Sequence, residues 1–553
     1  MAKTMQLLKT TDKAIAAYGL DGYTLMTSSS STMLASLKKA MDMAPMDIIN
    51  EVIDAKLLGR GGASYPAGKK WKQLYEIEGS PKYIVCNADE GEPGTFKDKV
   101  LLEKDPLSII EGMAIAGYVF DSHDGYIYIR GEYREIQKLF QAAIDNAVKA
   151  HYLGENIMGS NFSFRVHIVS GAGAYICGEN SGLLNSIEAK AGRPRVKPPH
   201  LAEVGLYSMP TLVNNVESFA SVPQIINMGG KAFQELGVED SGGTKLICLS
   251  GNVVRRGTFE VPIGGVTLRD IIFDPEFGGG IPDGKELKCY HLGGQSGPIG
   301  FPEQLDTRYD HTSLKKQGLS IGSGAVVVLD ETVCIIDYLK KVSEFFIHES
   351  CGKCVPCREG TKRMLEILER IVAGNGKPSD MDELRELADM IESTALCGLG
   401  KSAPKPVIST MNAFEEEYLE HINEKRCRTG VCSNLRKFQI DPEICKGCSK
   451  CARNCPAGAI EGVLKSPYHI NQEKCIGCGF CTRVCPRGNL KLTGDGIRAE
   501  GSCEYCLACV HNCTQKALTL RSPMAGRPGE RNPEARYRHP DISINEIVRA
   551  NQQ

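Results

Sequence analysis

The chain has no run approaching the roughly 18 consecutive apolar residues that a membrane-spanning helix needs. Its opening stretch, Met1 to Lys13, lacks an apolar core followed by a small-residue cleavage site, so no secretory leader is expected. An excess of one charge is missing too: 65 Lys and Arg oppose 67 Asp and Glu, for a formal net charge of −2. Nucleic acid and anionic membrane surfaces are therefore not expected as partners, since both are held by a cationic field. No cysteine precedes Cys86. A chain without leader or span is expected in the reducing cytoplasm, where clustered cysteine binds metal and does not pair as disulfide.

What the sequence has in quantity is cysteine, 23 in 553 residues, on an ordinary background of 42% hydrophobic and 24% charged residues. At about 100–200 residues per domain the length suggests three to five domains. Cys445, Cys448, Cys451 and Cys455, followed by Pro456, read C-x2-C-x2-C-x3-C-P, and Cys475, Cys478, Cys481 and Cys485, followed by Pro486, repeat the run. This is the spacing of bacterial ferredoxins with two [4Fe-4S] clusters, where each run lends its fourth cysteine to the other cluster. Cys445, Cys448, Cys451 and Cys485 are thus expected on one cluster, and Cys475, Cys478, Cys481 and Cys455 on the second. A third run, Cys503, Cys506, Cys509 and Cys513, lacks the proline; a third [4Fe-4S] cluster is favoured there, with zinc as the alternative.

Upstream, Cys351, Cys354 and Cys357 stand before a helical apolar pattern from Arg358 to Ala373, and a second helical stretch, Met381 to Ser393, leads to Cys397. Three close thiolates and one distant one make a further [4Fe-4S] site in a helical domain, although zinc would suit four cysteines equally well. Cys427 and Cys432 fit no cluster motif. They are either linker thiols or half of a zinc site completed by another Cys or by a His such as His469. The remaining Cys86, Cys177, Cys248, Cys289 and Cys334 sit among apolar neighbours and are expected as core fillers.

In the N-terminal two-thirds, Gly59-Arg60-Gly61-Gly62-Ala63-Ser64-Tyr65 follows an amphipathic helix expected over Ile48 to Leu58. With Lys69 and Lys70 behind it, the loop could receive an anion, although it is neither a Walker A loop nor, lacking a preceding strand, a Rossmann fingerprint. A strand, Tyr83 to Cys86, runs into Asn87-Ala88-Asp89-Glu90-Gly91-Glu92-Pro93-Gly94, polar groups placed at a strand end; a solvated acidic turn is the plainer alternative. Gly171 to Asn180 and Pro210 to Glu217 form two comparable elements.

These phrases, with Glu349-Ser350-Cys351-Gly352-Lys353-Cys354-Val355-Pro356-Cys357-Arg358-Glu359-Gly360, closely resemble the flavin-bearing NADH-dehydrogenase subunit of respiratory complex I. They resemble still more the FMN subunit of soluble NAD(P)-linked, electron-bifurcating hydrogenases and formate dehydrogenases. The resemblance covers about residues 35 to 515. It implies an α/β flavin core of modified Rossmann-like fold, a β-grasp domain, a helical-bundle [4Fe-4S] domain and a C-terminal ferredoxin-like module. The corresponding boundaries are a lead-in at 1–35, an FMN/NAD(P) core at 36–240, the β-grasp domain at 241–332 and the helical domain at 333–422. A hinge with the zinc-type cysteines follows at 423–442, the ferredoxin-like module at 443–520, and a basic linker and tail at 521–553.

The resemblance further implies that FMN contacts Gly59, Gly61, Gly62, Lys70, Asn87, Asp89, Glu90, Gly91, Tyr175, Gly178, Glu179, Asn214 and Asn215. The dinucleotide would lie near Tyr65, Glu92, Asn180, Lys197 and His200, with Glu92, Lys70 and Glu179 as the groups placed for chemistry. Tyr65 and His200 replace a common phenylalanine and Gln73 a common aromatic. Asn180 stands where NADH-specific members carry a second glutamate, which removes repulsion of a 2′-phosphate and predicts that NADPH is tolerated or preferred. With no cysteine before Cys86, any [2Fe-2S] centre is expected in a thioredoxin-like partner subunit. Other expected partners are a hydrogenase or formate dehydrogenase subunit and soluble ferredoxin. The expected activity is hydride exchange between NAD(P)(H) and FMN with single electrons passed to [4Fe-4S] clusters, in bifurcation. The alternatives are a non-bifurcating diaphorase and a relay subunit with a decayed dinucleotide site.

Overall fold

A computed structural model of the chain describes residues 35–435, most of 440–475, and two short strands, Leu492–Thr493 and Gly496–Ile497. The N-terminal lead-in, Cys478, Cys481, Cys485, the third cysteine run and the basic tail lie outside the described residues. Two compact units divide the chain between Lys437 and Phe438.

In the first unit, β1 (Tyr83–Ala88), β2 (Asp124–Ile129), β3 (Arg165–Ser170) and β4 (Thr211–Asn215) form a parallel sheet in the order β3-β2-β1-β4. Strands of such a sheet are apolar on both sides because both faces are covered. Ile84, Cys86, Ala88, Ile127 and Ile129 pack under the helices Pro106–Val119 and Val216–Met228. Those two helices cross so closely that a Cβ on Gly112 would lie 2.1 Å from the Phe219 carbonyl oxygen. Val85, Tyr128 and Val213 face the other way, against Ile176, Leu183 and Leu184 and, from the helical domain, Val342 and Phe346. The amphipathic helix expected to reach Leu58 spans Pro45–Asp54 instead, because the chain turns at Lys56 (φ 49°) into the glycine-rich loop.

Next comes a mixed sheet of β5 (Thr244–Gly251), β6 (Gly257–Pro262), β7 (Leu287–Leu292), β8 (Ile299–Gly300) and β9 (Ala325–Asp330), ordered β6-β5-β9-β7-β8, in which β5 and β9 alone run parallel. Its core holds Ile247, Leu249, Phe259, Val326 and Val328. The helical region contains Ile335–Glu349, Thr361–Val372, Asp380–Thr394 and Lys405–Met411. The helix expected from Arg358 starts as a single π turn, Pro356–Gly360, that carries Cys357.

The second unit contains the helix Lys450–Arg453 and an antiparallel pair, β10 (Ile460–Glu461) with β11 (His469–Ile470). Its small core of Ile460, Tyr468 and Ile470 is ringed by Cys445, Cys451, Cys455 and Cys475. Backbone N–H groups of Tyr468 and Ala459 donate to the sulfurs of Cys445 and Cys455 at 3.4 and 3.3 Å, a setting that favours thiolate ligands. Among the described residues no helix is long and apolar enough to cross a membrane.

Candidate functional site

Polar side chains converge at the C-terminal ends of β1 and β4, where an open parallel sheet offers a crevice. Lys70, on the helix Ala67–Glu76, donates to the Val213 carbonyl at 2.8 Å and to Asn214 Oδ1 at 3.3 Å. Burial, followed by the nearby Lys197 charge, lowers its pKa to about 8. Asn87 donates to the Gly178 carbonyl (2.8 Å) and to Asn180 Oδ1 (3.1 Å), joining β1 to the Gly171–Asn180 loop. Asn215 donates to Asp98 Oδ2 at 2.7 Å, and a Cβ on Gly61 would lie 3.0 Å from its own Cβ. The structure thus gathers Gly61, Lys70, Asn87, Gly178, Asn180, Asn214 and Asn215 at one edge of the sheet.

The acidic turn after β1 is not solvated: Asp89, Glu90 and Glu92 are all buried. Glu90 takes the N–H groups of Asp98 and Lys99 at 2.8 and 2.9 Å and so caps the helix Lys97–Lys104. Burial raises the pKa of both Asp89 and Glu90 above the ordinary carboxylate range. Glu179 caps the helix Asn180–Ile187 through the N–H groups of Ser181 and Gly182, and its other oxygen meets Lys197 Nζ at 3.3 Å. Tyr65 is exposed and donates to Gln73 Oε1, and His200 is also exposed. Gly91 packs directly on Tyr175.

FMN fits these residues on one structural observation. Asp89 Oδ2 and Asn214 Nδ2 are buried without a hydrogen-bond partner at adjoining strand ends. Such orphaned groups are costly unless a ligand satisfies them. Behind the site lies a charge network that motif reading did not find. Lys97 meets Asp98 at 2.5 Å and Glu217 at 3.1 Å, and Lys245 from β5 meets Glu217 at 2.5 Å, all buried. Burial opposes the Lys97 charge, but Asp98 and Glu217 outweigh it and push its pKa up. These contacts tie the mixed sheet to the flavin-side core.

Cys351, Cys354, Cys357 and Cys397 line one pocket with Ile176, Pro194, Leu396 and Leu399. Burial pushes the Cys357 thiol up to about 11, so a thiolate there needs a compensating cation such as an iron cluster. The Tyr175 N–H donates to Glu349 Oε2 at 2.7 Å, and its ring meets Phe345 at 5.3 Å. The loop at the sheet edge therefore rests on the helix that leads into the cluster cysteines.

The cysteine pair at 427 and 432 is corrected in two respects. Its companions are Cys334, a core residue that is also placed as a ligand, and His421, not His469; all four ligand atoms lie within 4.8 Å of one another and all four residues are buried. His469 belongs to the second unit, where it is largely exposed and pairs with Glu461. Within the segment expected as a hinge, Cys427, Cys432 and Leu435 pack in the helical core. Cys334 Sγ stands 3.6 Å from Cys432 Sγ and 3.4 Å from His421 Nε2, and Cys432 Sγ stands 3.6 Å from the same nitrogen. A tetrahedral zinc with ordinary bond lengths needs edges of about 3.8 Å (S···S) and 3.6 Å (S···N). A cubane carries its ligands on four separate irons and would hold them farther apart. Sequence spacing hid Cys334 and His421, although His421, six residues before Cys427, was the nearest histidine in the chain to that pair.

Comparison with known proteins adds three family matches: a Nuo51 FMN-binding domain over residues 52–224, an NADH-ubiquinone oxidoreductase-F iron-sulfur binding region over 337–421, and a 4Fe-4S dicluster domain over 438–492. The NADP-reducing hydrogenase subunit HndC of Solidesulfovibrio fructosivorans is 44% identical over 78% of this chain and 87% of its own length. An F-type NADH-quinone oxidoreductase subunit of Rhizobium meliloti is 43% identical over 74% of this chain and 96% of its own. A chain of an NAD+-reducing [NiFe]-hydrogenase crystal structure in the H2-reduced state superposes with a TM-score of 0.65 at 34% identity, covering 71% of this chain and 65% of that one.

Proposed function

This chain belongs to the family of FMN- and iron–sulfur-bearing NADH-dehydrogenase subunits, an oxidoreductase family, and from that premise we propose a specific role for it. The chain exchanges reducing equivalents with NAD(P)(H) at FMN and relays single electrons through [4Fe-4S] clusters to a hydrogenase or formate dehydrogenase partner and to soluble ferredoxin, by bifurcation. FMN, when bound, supplies the conversion between two-electron and one-electron chemistry. The residues do the rest. Lys70, Asn87, Asn214 and the Gly59–Gly62 loop hold the cofactor, and Glu92 and Lys197 face the dinucleotide. Cys351, Cys354, Cys357 and Cys397 hold the first cluster. The supporting observation is the Gly171–Asn180 loop, bonded at one end to Asn87 and, through Tyr175, to Glu349 beside the cluster cysteines. The five-stranded mixed sheet, with its 2-1-5-3-4 order, reads as the β-grasp domain. Cys334, His421, Cys427 and Cys432 read as a structural zinc site. A thioredoxin-like [2Fe-2S] subunit completes the complex.

Anaerobic titration tests the reading: NADH or NADPH should bleach the bound flavin, and an unbleached flavin overturns it. Ferredoxin reduction by the purified complex only when the second substrate is present supports bifurcation, whereas reduction by NAD(P)H alone favours the diaphorase. Asn180 supports acceptance of NADPH, in keeping with the NADP-reducing relative. Asn180→Glu should lower kcat/KM for NADPH by about tenfold or more while leaving NADH little changed, because it returns a carboxylate beside the 2′-phosphate.

A further inference from the structure

The segment that leaves β1 does not run into solvent; it passes beneath the mixed-sheet domain. Glu92 Oε1 accepts from the Ser296 N–H at 2.9 Å and from the Ser296 hydroxyl at 2.5 Å. The Ser323 hydroxyl beside it donates to the Gly293 carbonyl at 3.2 Å. Thr95 and Ser323 share a further hydrogen bond of 2.7 Å. The loop between β7 and β8 is shaped around this acid. A Cβ on Gly294 (φ 91°) would lie 2.3 Å from Glu92 Cδ, so only glycine leaves room for the carboxylate.

The same loop is pinned to the helical domain at both ends. His291, at its start, bonds through Nδ1 to the Tyr338 hydroxyl at 2.8 Å and through Nε2 to the Gly297 carbonyl at 2.9 Å. The carbonyl accepts only, so Nε2 carries the proton and Nδ1 accepts from the tyrosine. At its far end the Ile299 N–H donates to Ser409 Oγ at 3.1 Å. Tyr338 lies in the helix Ile335–Glu349 and Ser409 in the helix Lys405–Met411.

We propose that Ser296 is a positioning residue of the flavin site, fixing the Glu92 carboxylate from the mixed-sheet domain while Gly294 supplies the space it occupies. This rests on the reading that Glu92 serves the dinucleotide at FMN. The acid comes from the α/β core, and its orientation is set by a second domain that is itself tied to the cluster-bearing helices. Burial raises the Glu92 pKa, and the two Ser296 donors oppose it while fixing the direction in which the carboxylate points. The titratable group beside Glu92 is Tyr175, whose backbone N–H donates to Glu349 Oε2.

The test uses the full-length holoprotein. Ser296→Ala should keep its FMN but bind NAD+ or NADP+, followed by flavin absorbance without reduction, about tenfold more weakly, the worth of one hydrogen bond to a charged group. Ser296→Thr should restore wild-type affinity. In a Glu92→Gln background Ser296→Ala should have no further effect, because the charge it orients is gone. Unchanged affinity in Ser296→Ala, or an equal loss in both backgrounds, overturns the proposal. If Ser296→Ala loses FMN, the near-isosteric pair Ser296→Thr and Ser296→Val decides, and identical behaviour of that pair refutes it. A wild-type flavin that neither nucleotide bleaches overturns the functional reading instead; a bleached wild type with an indifferent Ser296→Ala overturns only this proposal.

Discussion

The helical region carries two four-ligand sites made largely of cysteine, and they are built in opposite ways. Cys351, Cys354 and Cys357 are spaced two residues apart at a π turn, and Cys397 closes the set at the start of the helix Gly398–Ser402. Their pocket opens on Ile176 and Pro194 of the flavin-side core. Cys334, His421, Cys427 and Cys432 come from the two ends of the region, 87 residues apart between Cys334 and His421, and are closed inside its apolar core. In the proposed reading the first arrangement places a redox group against the site that feeds it. The second joins the chain entering the helical region to the chain leaving it, which is what a structural metal does. Ligand chemistry is similar in both, so in the proposed reading position, and not composition, separates conduction from stabilisation.

The sharpest way to break this distinction is to remove one thiolate from each site. Cys354→Ala should abolish electron transfer from NAD(P)H to ferredoxin while anaerobic bleaching of FMN persists. A variant that still reduces ferredoxin would detach this site from the relay. Cys432→Ala should leave electron transfer intact and cost stability instead. The zinc equivalent should disappear from metal analysis and stability should fall by roughly 5 kcal/mol, with the melting temperature lowered by about 10–20 °C. FMN bleaching should survive at temperatures where the variant is folded. Loss of electron transfer from a folded Cys432→Ala, with the other clusters intact, would make the second site a conductor and erase the contrast.

The same contrast explains how far the sequence could be read. Cys351, Cys354 and Cys357 were legible because a cluster loop is local: the spacing is the geometry. The glycine-rich loop and the polar strand ends were legible only as phrases resembling a family, since nothing in Asp89-Glu90-Gly91-Glu92 distinguishes a buried acidic turn from a solvated one. Burial is decided by what packs above, here a loop some 200 residues later, from Gly293 to Pro298. Cys334 was misread for a related reason. An isolated cysteine among Val333, Ile335 and Ile336 has the local signature of a core residue, and it is one, except that three other ligands share its corner of the core. Elements held by strong periodicity, such as Asp380–Thr394, differed from expectation by a residue at either end.

The finest prediction concerns how the zinc-type site is aimed. His421 Nδ1 lies 2.7 Å from the Glu417 carbonyl, an acceptor, so the proton sits on Nδ1 and the Nε2 lone pair points at the sulfurs. The side chain of the same Glu417 accepts the Ile335 N–H at 2.9 Å, directly after Cys334, and pairs with Lys288 Nζ at 2.6 Å. One residue thus orients a ligand at each end of the region. Glu417→Gln keeps an acceptor for Ile335 and the carbonyl for His421 but loses the charge opposite Lys288, a half-buried cation that also lies over the Phe414 ring at 5.2 Å. Supports of this kind are worth about 10- to 100-fold in metal affinity, and a substitution that leaves two of three contacts should sit at the lower end. Competition with a chelator should therefore show zinc held about tenfold more weakly, with the metal still present at full occupancy when no competitor is added. Affinity equal to wild type would mean that the helix packing alone sets the ligands. A loss as complete as that of Cys432→Ala would mean that Glu417 holds the region together and that the metal follows.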